Sequence, residues 1–202
     1  LEAITALRYS HKGRELGVYV AKRSLRDRNN ETLDVLAYDL TGEGTWRSES
    51  IEWNGAFEVA YVLGDTTLAR NTSVLGALDV DQLGYVLRAG ARYLPWSISL
   101  DVEMGYASGD SNPFDGHVRN FTFDPDYNPS LILFEELRAA ETVASAANVS
   151  DPSRVGYPPQ SARFLPTAGS VTNAQYVRPT VRYALGDLGL RLAILWGRAE
   201  ED

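Results

Sequence analysis

Asp101 and Glu103 stand two residues apart in the run WSISLDVEMGYA, residues 96–107, a spacing that puts both carboxylates on one side of an extended strand. Two carboxyl groups on one face have the makings of the acid and base of glycoside hydrolysis. Set against arginines, they instead form ion pairs that line a polar passage and orient the solutes in it. Arginines occupy the matching side of other segments: Arg88 and Arg92 just before this run, and Arg178, Arg182 and Arg191 near the C-terminus. Glu52 and Glu58 add carboxylates earlier in the chain. No third group suggests a catalytic mechanism. Of the two histidines, neither His11 nor His117 sits on a well-defined strand, on the side of these charges, near a serine. The expectation is therefore a charge-lined passage and no enzyme.

A second group of oxygen donors crowds residues 110–128, where Asp110, Asp115, Asp124 and Asp126 alternate with Asn112, Asn120 and Asn128. Calcium accepts such ligands, although the spacing fits no EF-hand, and a plain solvated acidic loop is the competing reading. No Walker loop, nucleophile elbow or dinucleotide fingerprint is present. Calcium is the one cofactor the sequence suggests.

Composition limits the partners. With 27 acidic against 19 basic residues in 202, the formal charge is -8, which argues against a general nucleic-acid binder. The absence of cysteine removes disulfides, thiolate metal sites and cysteine nucleophiles together. No run approaches the ~18 apolar residues of a membrane helix. A membrane barrel needs only strands of ~9 to 11 residues with alternating character, and such strands are abundant here.

The elements that carry the charges are read from that alternation. In 96–107, Trp96, Ile98, Leu100, Val102, Met104 and Tyr106 form an apolar side. In 83–93, Leu83, Tyr85, Leu87, Ala89, Ala91 and Tyr93 oppose Arg88 and Arg92, and Leu94 and Pro95 predict a tight turn into the next strand. Residues 176–185 and 188–197 repeat the pattern around a turn at Gly186 and Asp187, as does 51–63. Blurred alternation predicts further strands over 2–10, 15–24 and 32–40, making eight in all. The links near 10–14, 94–95 and 186–187 are short, those near 26–31, 65–72 and 109–171 long, and the one at 41–49 intermediate. Short and long links sorted in this way suit an outer-membrane barrel, with brief turns at one end and long loops at the other. Trp53, Tyr93, Trp96, Tyr106, Tyr183 and Trp196 lie near strand ends, as interfacial girdles do; core aromatics of a soluble sandwich are the alternative. Within the long loop, Asn128 and Pro129 predict a helix start, followed by apolar residues and an alanine-rich run to Ala147. Such a helix either folds inward or caps the rim.

The blocks GYASGDSNPFDG (105–116), NFTFDPDYNPSLILFEE (120–136) and QYVRP (175–179) resemble the alginate-export-like outer-membrane β-barrels of Gram-negative bacteria. The likeness is most specific over 97–185. It implies an antiparallel barrel wider than eight strands that conducts or exports solutes, with an arginine-rich pore for an anionic polysaccharide in the family proper. On this chain the implied pore arginines are Arg88, Arg92, Arg178, Arg182 and Arg191, accompanied by the acids Glu52, Glu58, Asp101 and Glu103. The resulting expectation is an all-β, antiparallel transmembrane barrel with a short helix in one long extracellular loop. Residues 1–202 form a single domain with the insertion 109–171, read as part of a larger barrel. It conducts small or polymeric solutes passively across the outer membrane, in contact with membrane lipid and with envelope proteins as possible partners. The alternatives are a non-conducting barrel that serves as scaffold or receptor through its long loop, and a soluble β-sandwich.

Overall fold

The structure is a computed structural model that describes residues 2–28, 30–68, 76–112, 115–124, 127, 129 and 171–200. Its strands are β1 (Glu2–His11), β2 (Arg14–Arg26), β3 (Thr32–Arg47), β4 (Ile51–Thr66), β5 (Leu78–Tyr93), β6 (Ile98–Ala107), β7 (His117–Val118), β8 (Ala174–Leu185), β9 (Leu188–Ala193) and β10 (Trp196–Ala199). All ten belong to one sheet in the order β1-β2-β3-β4-β5-β6-β8-β10, with β9 also on β8 and the two-residue β7 on β5. Every pairing is antiparallel except β5–β7. There is no helix among the described residues, and the helix expected from Asn128 to Ala147 lies outside them apart from Pro129.

β9 and β10 are one strand in all but a single step. Leu188 pairs with Leu185 and Ala199 with Ala174 in one unbroken register, so Ile194 falls opposite Pro179. The Ile194 N–H donates to the Pro179 carbonyl at 3.1 Å, but proline has no N–H with which to answer. The ladder is interrupted there and resumes at Trp196.

Several elements are longer than the alternation suggests. β3 runs on to Arg47, so Thr41–Arg47 is strand where the sequence suggests a link, and the turn is confined to 48–50. Gly42 and Gly44 hide this extension, because glycine contributes nothing to a hydrophobic pattern. Neighbouring rings cover them: a Cβ on Gly42 would meet the Phe57 ring at 2.6 Å, and one on Gly44 the Trp46 ring at 3.0 Å. In the other direction, Trp96 and Ser97 belong to the turn and β6 starts only at Ile98. Ser97 adopts φ 50°, and its N–H closes a turn onto the Leu94 carbonyl at 3.2 Å.

The strand directions gather the turns 12–13, 48–50, 94–97 and 186–187 at one end of the sheet and the connections 27–31, 67–77 and 108–173 at the other. Among the described residues β1 and the β9–β10 strand do not pair with each other, so the eight side-by-side strands form an open sheet and not a closed barrel. The described residues also hold a single sheet, not the two packed sheets of a sandwich.

The two faces differ sharply. One carries Leu7, Leu16, Val18, Leu40, Leu87, Leu100, Val181, Leu190 and Leu192, all exposed, Leu100 by 51% and Leu192 by 66%. It also carries two rows of aromatic residues. Trp46, Trp53 and Tyr93 lie toward the short-turn end, whereas Tyr38, Tyr61, Tyr85 and Tyr106 lie toward the long-loop end. Trp46 pairs with Trp53 and Tyr38 with Tyr61, while the Tyr85 and Tyr106 rings stack at 5.2 Å. Tyr38 and Trp46, Trp53 and Tyr61, and Tyr85 and Tyr93 are each eight residues apart on their strands. Between these rows, the residues of β3, β4, β5 and β6 on this face carry no charge. The small buried core lies on the opposite face, where Ala107, Phe123, Val171, Ala174 and Tyr176 cluster.

Candidate functional site: a charged face crossed by the long loop

Strand alternation and pairing register decide which charges meet. Going across the sheet, Glu52, Arg92, Ser99, Arg182 and Arg191 fall in one row. Two residues further toward the long-loop end, Asn54, Gly90, Asp101 and Thr180 form the next, followed by Glu43, Ala56, Arg88, Glu103 and Arg178. Glu58 lies one row beyond, level with Thr41, Val86, Gly105 and Tyr176. All nine charged residues singled out in the sequence therefore share the face opposite the apolar one. Period two made that placement legible, because a one-residue slip would have moved each strand's charges to the other side.

The centre of this face is Glu103, whose side chain is only 7% exposed. One carboxylate oxygen accepts from Arg88 Nε at 2.6 Å and Arg178 Nη2 at 3.0 Å. The other lies within hydrogen-bond reach of the hydroxyls of Tyr176 at 3.0 Å and Tyr127 at 3.2 Å. The two guanidinium groups and a tyrosine hydroxyl donating to this carboxylate supply what burial takes from it in hydration. Tyr127 and Tyr176 also hydrogen-bond each other, and Arg178 donates to the Pro129 carbonyl through its remaining terminal nitrogen. One row below, Arg182 pairs with Asp101. Glu52 and Arg92 are cross-strand neighbours, and Arg191 faces Arg182 on the exposed outer strand. An arrangement of this kind can fix the positions of charges and leave a field between them; no nucleophile and base are brought together by it.

Tyr127, Tyr176 and Pro129 are the members that sequence reasoning did not place in the site. Tyr176 alternates onto the side of the arginines, which was the available signal. Tyr127 comes from the long loop, and nothing local in the sequence says where the loop goes. Gly84 makes room for it, since a Cβ there would lie 2.1 Å from the Phe121 ring, and Gly105 does the same for the β8 residue Tyr176, whose ring lies 2.3 Å from where its Cβ would be. Burial raises the pKa of the Tyr127 hydroxyl and keeps it a donor toward Glu103.

The loop returns over this face in a defined path. Ser108 Oγ accepts from Leu83 N–H at 3.0 Å and donates to the Arg119 carbonyl, and the Phe121 N–H donates to the Ser108 carbonyl at 3.0 Å. Phe123 then bonds to the Val171 carbonyl at 3.0 Å, beside a bridge between Thr122 and Thr172. Between the loop and β1–β5 lies a cleft of about 590 Å³ whose wall includes Glu15, Glu43, Glu58 and Asp124. A smaller one of about 240 Å³ is bounded by Asp101, Arg88, Arg178 and Arg182.

The aspartates considered for calcium are used differently. Asp115 and Asp110 both turn to Arg119, at 2.9 and 3.4 Å, while Asp124 is exposed on the wall of the larger cleft and Asp126 lies outside the described residues. Among the described residues no three acidic or histidine side chains converge as metal ligands. Partial desolvation acts to raise the Asp115 pKa, but hydrogen bonds from Arg119 and the His117 N–H, with the Arg119 charge, bring it below the ordinary value.

No protein-family model, curated protein or solved structure matches this chain.

Proposed function

We propose that this sheet is a section of the wall of an outer-membrane β-barrel channel, with its apolar face toward lipid and its charged face toward a water-filled passage that solutes cross passively. The observation that carries the reading is the uncharged apolar surface between two aromatic rows, on the opposite side from nine charged residues. Eight residues of strand run ~26 Å, which the ~40° tilt of barrel strands turns into ~20 Å of height, of the order of the ~25 Å apolar band that an outer-membrane barrel presents between aromatic girdles. The sorting of short turns and long connections to opposite ends agrees with that architecture. The edges left unpaired among the described residues, β1 and β9–β10, are where further strands would join. Small or polymeric solutes are the cargo in this reading, and the likeness to alginate-export-like barrels favours anionic ones.

Planar-bilayer recording of the purified protein is the test. Ion conductance supports the channel, and Arg88→Glu with Arg92→Glu should shift its selectivity toward cations. A protein that inserts into bilayers and shows no conductance overturns the reading. That outcome would favour the second one, a non-conducting barrel used as scaffold or receptor, which draws its support from the loop residues folded over the charged face.

A further inference from the structure

We infer that Arg119–Asp124, Tyr127 and Pro129 form a strap that narrows the passage, and that Glu103 is the positioning residue that latches it; the inference rests on the channel reading above. The strap is held at three separated points. At its start, Ser108 ties the Arg119 carbonyl to the β5 backbone, and the Phe121 ring occupies the space that the absent side chain of Gly84 leaves. In the middle, Phe123 is 6% exposed and bonded to Val171. At its far end, Tyr127 donates to Glu103 and the Pro129 carbonyl accepts from Arg178.

A loop that only capped a rim would meet the sheet at its edge. This one reaches down the charged face as far as the row of Arg88, Glu103 and Arg178, which is four residues of β6 below Ala107. It also forms one wall of the larger cleft through Phe121, Phe123, Asp124 and Tyr127, opposite Glu43 and Glu58, which have no hydrogen bond or ion pair among the described residues. The smaller pocket, bounded by Arg88, Asp101, Glu103, Arg178 and Arg182, begins at the row where the strap is latched. Lifting the strap would widen the larger cleft down to that row. Because the latch is a carboxylate already satisfied by two arginines, release of Tyr127 leaves no bare buried charge behind.

The chain has no cysteine, so one introduced thiol reports on the strap without background. Ala107 is fully buried beneath it, and Ala107→Cys is a small change. In the parent carrying that thiol, reinserted in lipid, a water-soluble maleimide should react slowly. Tyr127→Ala removes the latch, and Gly84→Leu evicts Phe121 from its seat while leaving every ion pair in place. Each should accelerate labelling, raise single-channel conductance and let larger polyethylene glycols enter the passage. Tyr127→Phe, which keeps the ring and loses only the hydroxyl, should shift all three in the same direction by less, and it stands in for either variant that does not fold. Labelling that is equally fast in the parent and the variants overturns the strap. Faster labelling with unchanged conductance and polymer cut-off overturns the narrowing and leaves the channel standing. A protein that never conducts, but labels slowly in the parent and faster in the variants, overturns the channel reading, and the narrowing with it, while the latch itself is upheld.

Discussion

Glu103 on β6 stands opposite Arg178 on β8 and accepts a hydrogen bond from it at 3.0 Å, with the carboxylate side chain 7% and the guanidinium side chain 20% exposed. A pair this well removed from water depends on both members, because removal of one leaves the other charged and poorly solvated. Glu103→Gln should therefore destabilise the protein by roughly 2–3 kcal/mol, less than a fully buried pair would lose because Arg88, the other cation, is half exposed. The urea midpoint of tryptophan fluorescence in the lipid-inserted protein measures this. An unchanged midpoint would mean that the cluster contributes nothing to stability.

Neighbouring positions on β6 separate the two faces. Leu100 points to the apolar side and Ser99 to the charged side. Leu100→Arg should cost ~1–2 kcal/mol in folding into lipid vesicles, between the cost of an arginine at mid-depth of a lipid-facing barrel wall and that of one at the interface, because Leu100 lies level with Trp53 in the short-turn aromatic row, whereas Ser99→Arg should cost far less. Equal effects at the two positions would argue against a lipid-facing surface.

Gly64 adopts φ 151°, and a Cβ there would lie 2.1 Å from the Asp34 carbonyl oxygen on the adjacent strand. Backbone cannot step aside as a side-chain tip can. Gly64→Ala should therefore destabilise by at least ~2 kcal/mol, a cost of strained backbone with added overlap, read from the same urea midpoint.

The loop clasp of Asp115 on Arg119 should be pH-dependent. The Asp115 pKa is depressed in the folded protein, so its contribution is present above the unfolded carboxylate value and is lost as pH falls through the lower folded one. Limited acid proteolysis of the loop should accelerate in that acidic window, and Asp115→Asn should make the loop equally susceptible at neutral pH. A rate independent of both pH and this substitution would remove the clasp from the account.

The alternation in 83–93 and 98–107 was legible because each residue's side follows from its position alone. The same rule put Arg88, Arg92, Asp101, Glu103, Arg178 and Arg182 on one face before any pairing was known. It could not supply register, so the meeting of Arg88 and Arg178 on Glu103, and not on Asp101, came only with the structure. It failed where a residue type carries no pattern, as at Gly42 and Gly44, and where Pro95 and the positive φ of Ser97 turn an apparently alternating Trp96 out of the strand. The arrival of Tyr127 at Glu103 is a contact between a loop and a distant strand, which no local periodicity encodes.

The connection 108–173 also sets an order of assembly. Apart from β7, each strand pair is closed by a short or moderate link except β6–β8. Loop-closure entropy grows with the logarithm of length, so bringing β8 to β6 costs roughly 2–3 kcal/mol more than closing a hairpin turn. The meander β1–β6 can zip from its turns, and the β8–β9 hairpin can form on its own around Gly186. Their docking is then the slow, entropy-limited step. Because Phe123, Tyr127 and Pro129 meet Val171, Tyr176 and Arg178 across that same joint, the loop gains its last anchors only when the final strands arrive, and a chain stalled before docking would hold it by Phe121 and Glu103 alone.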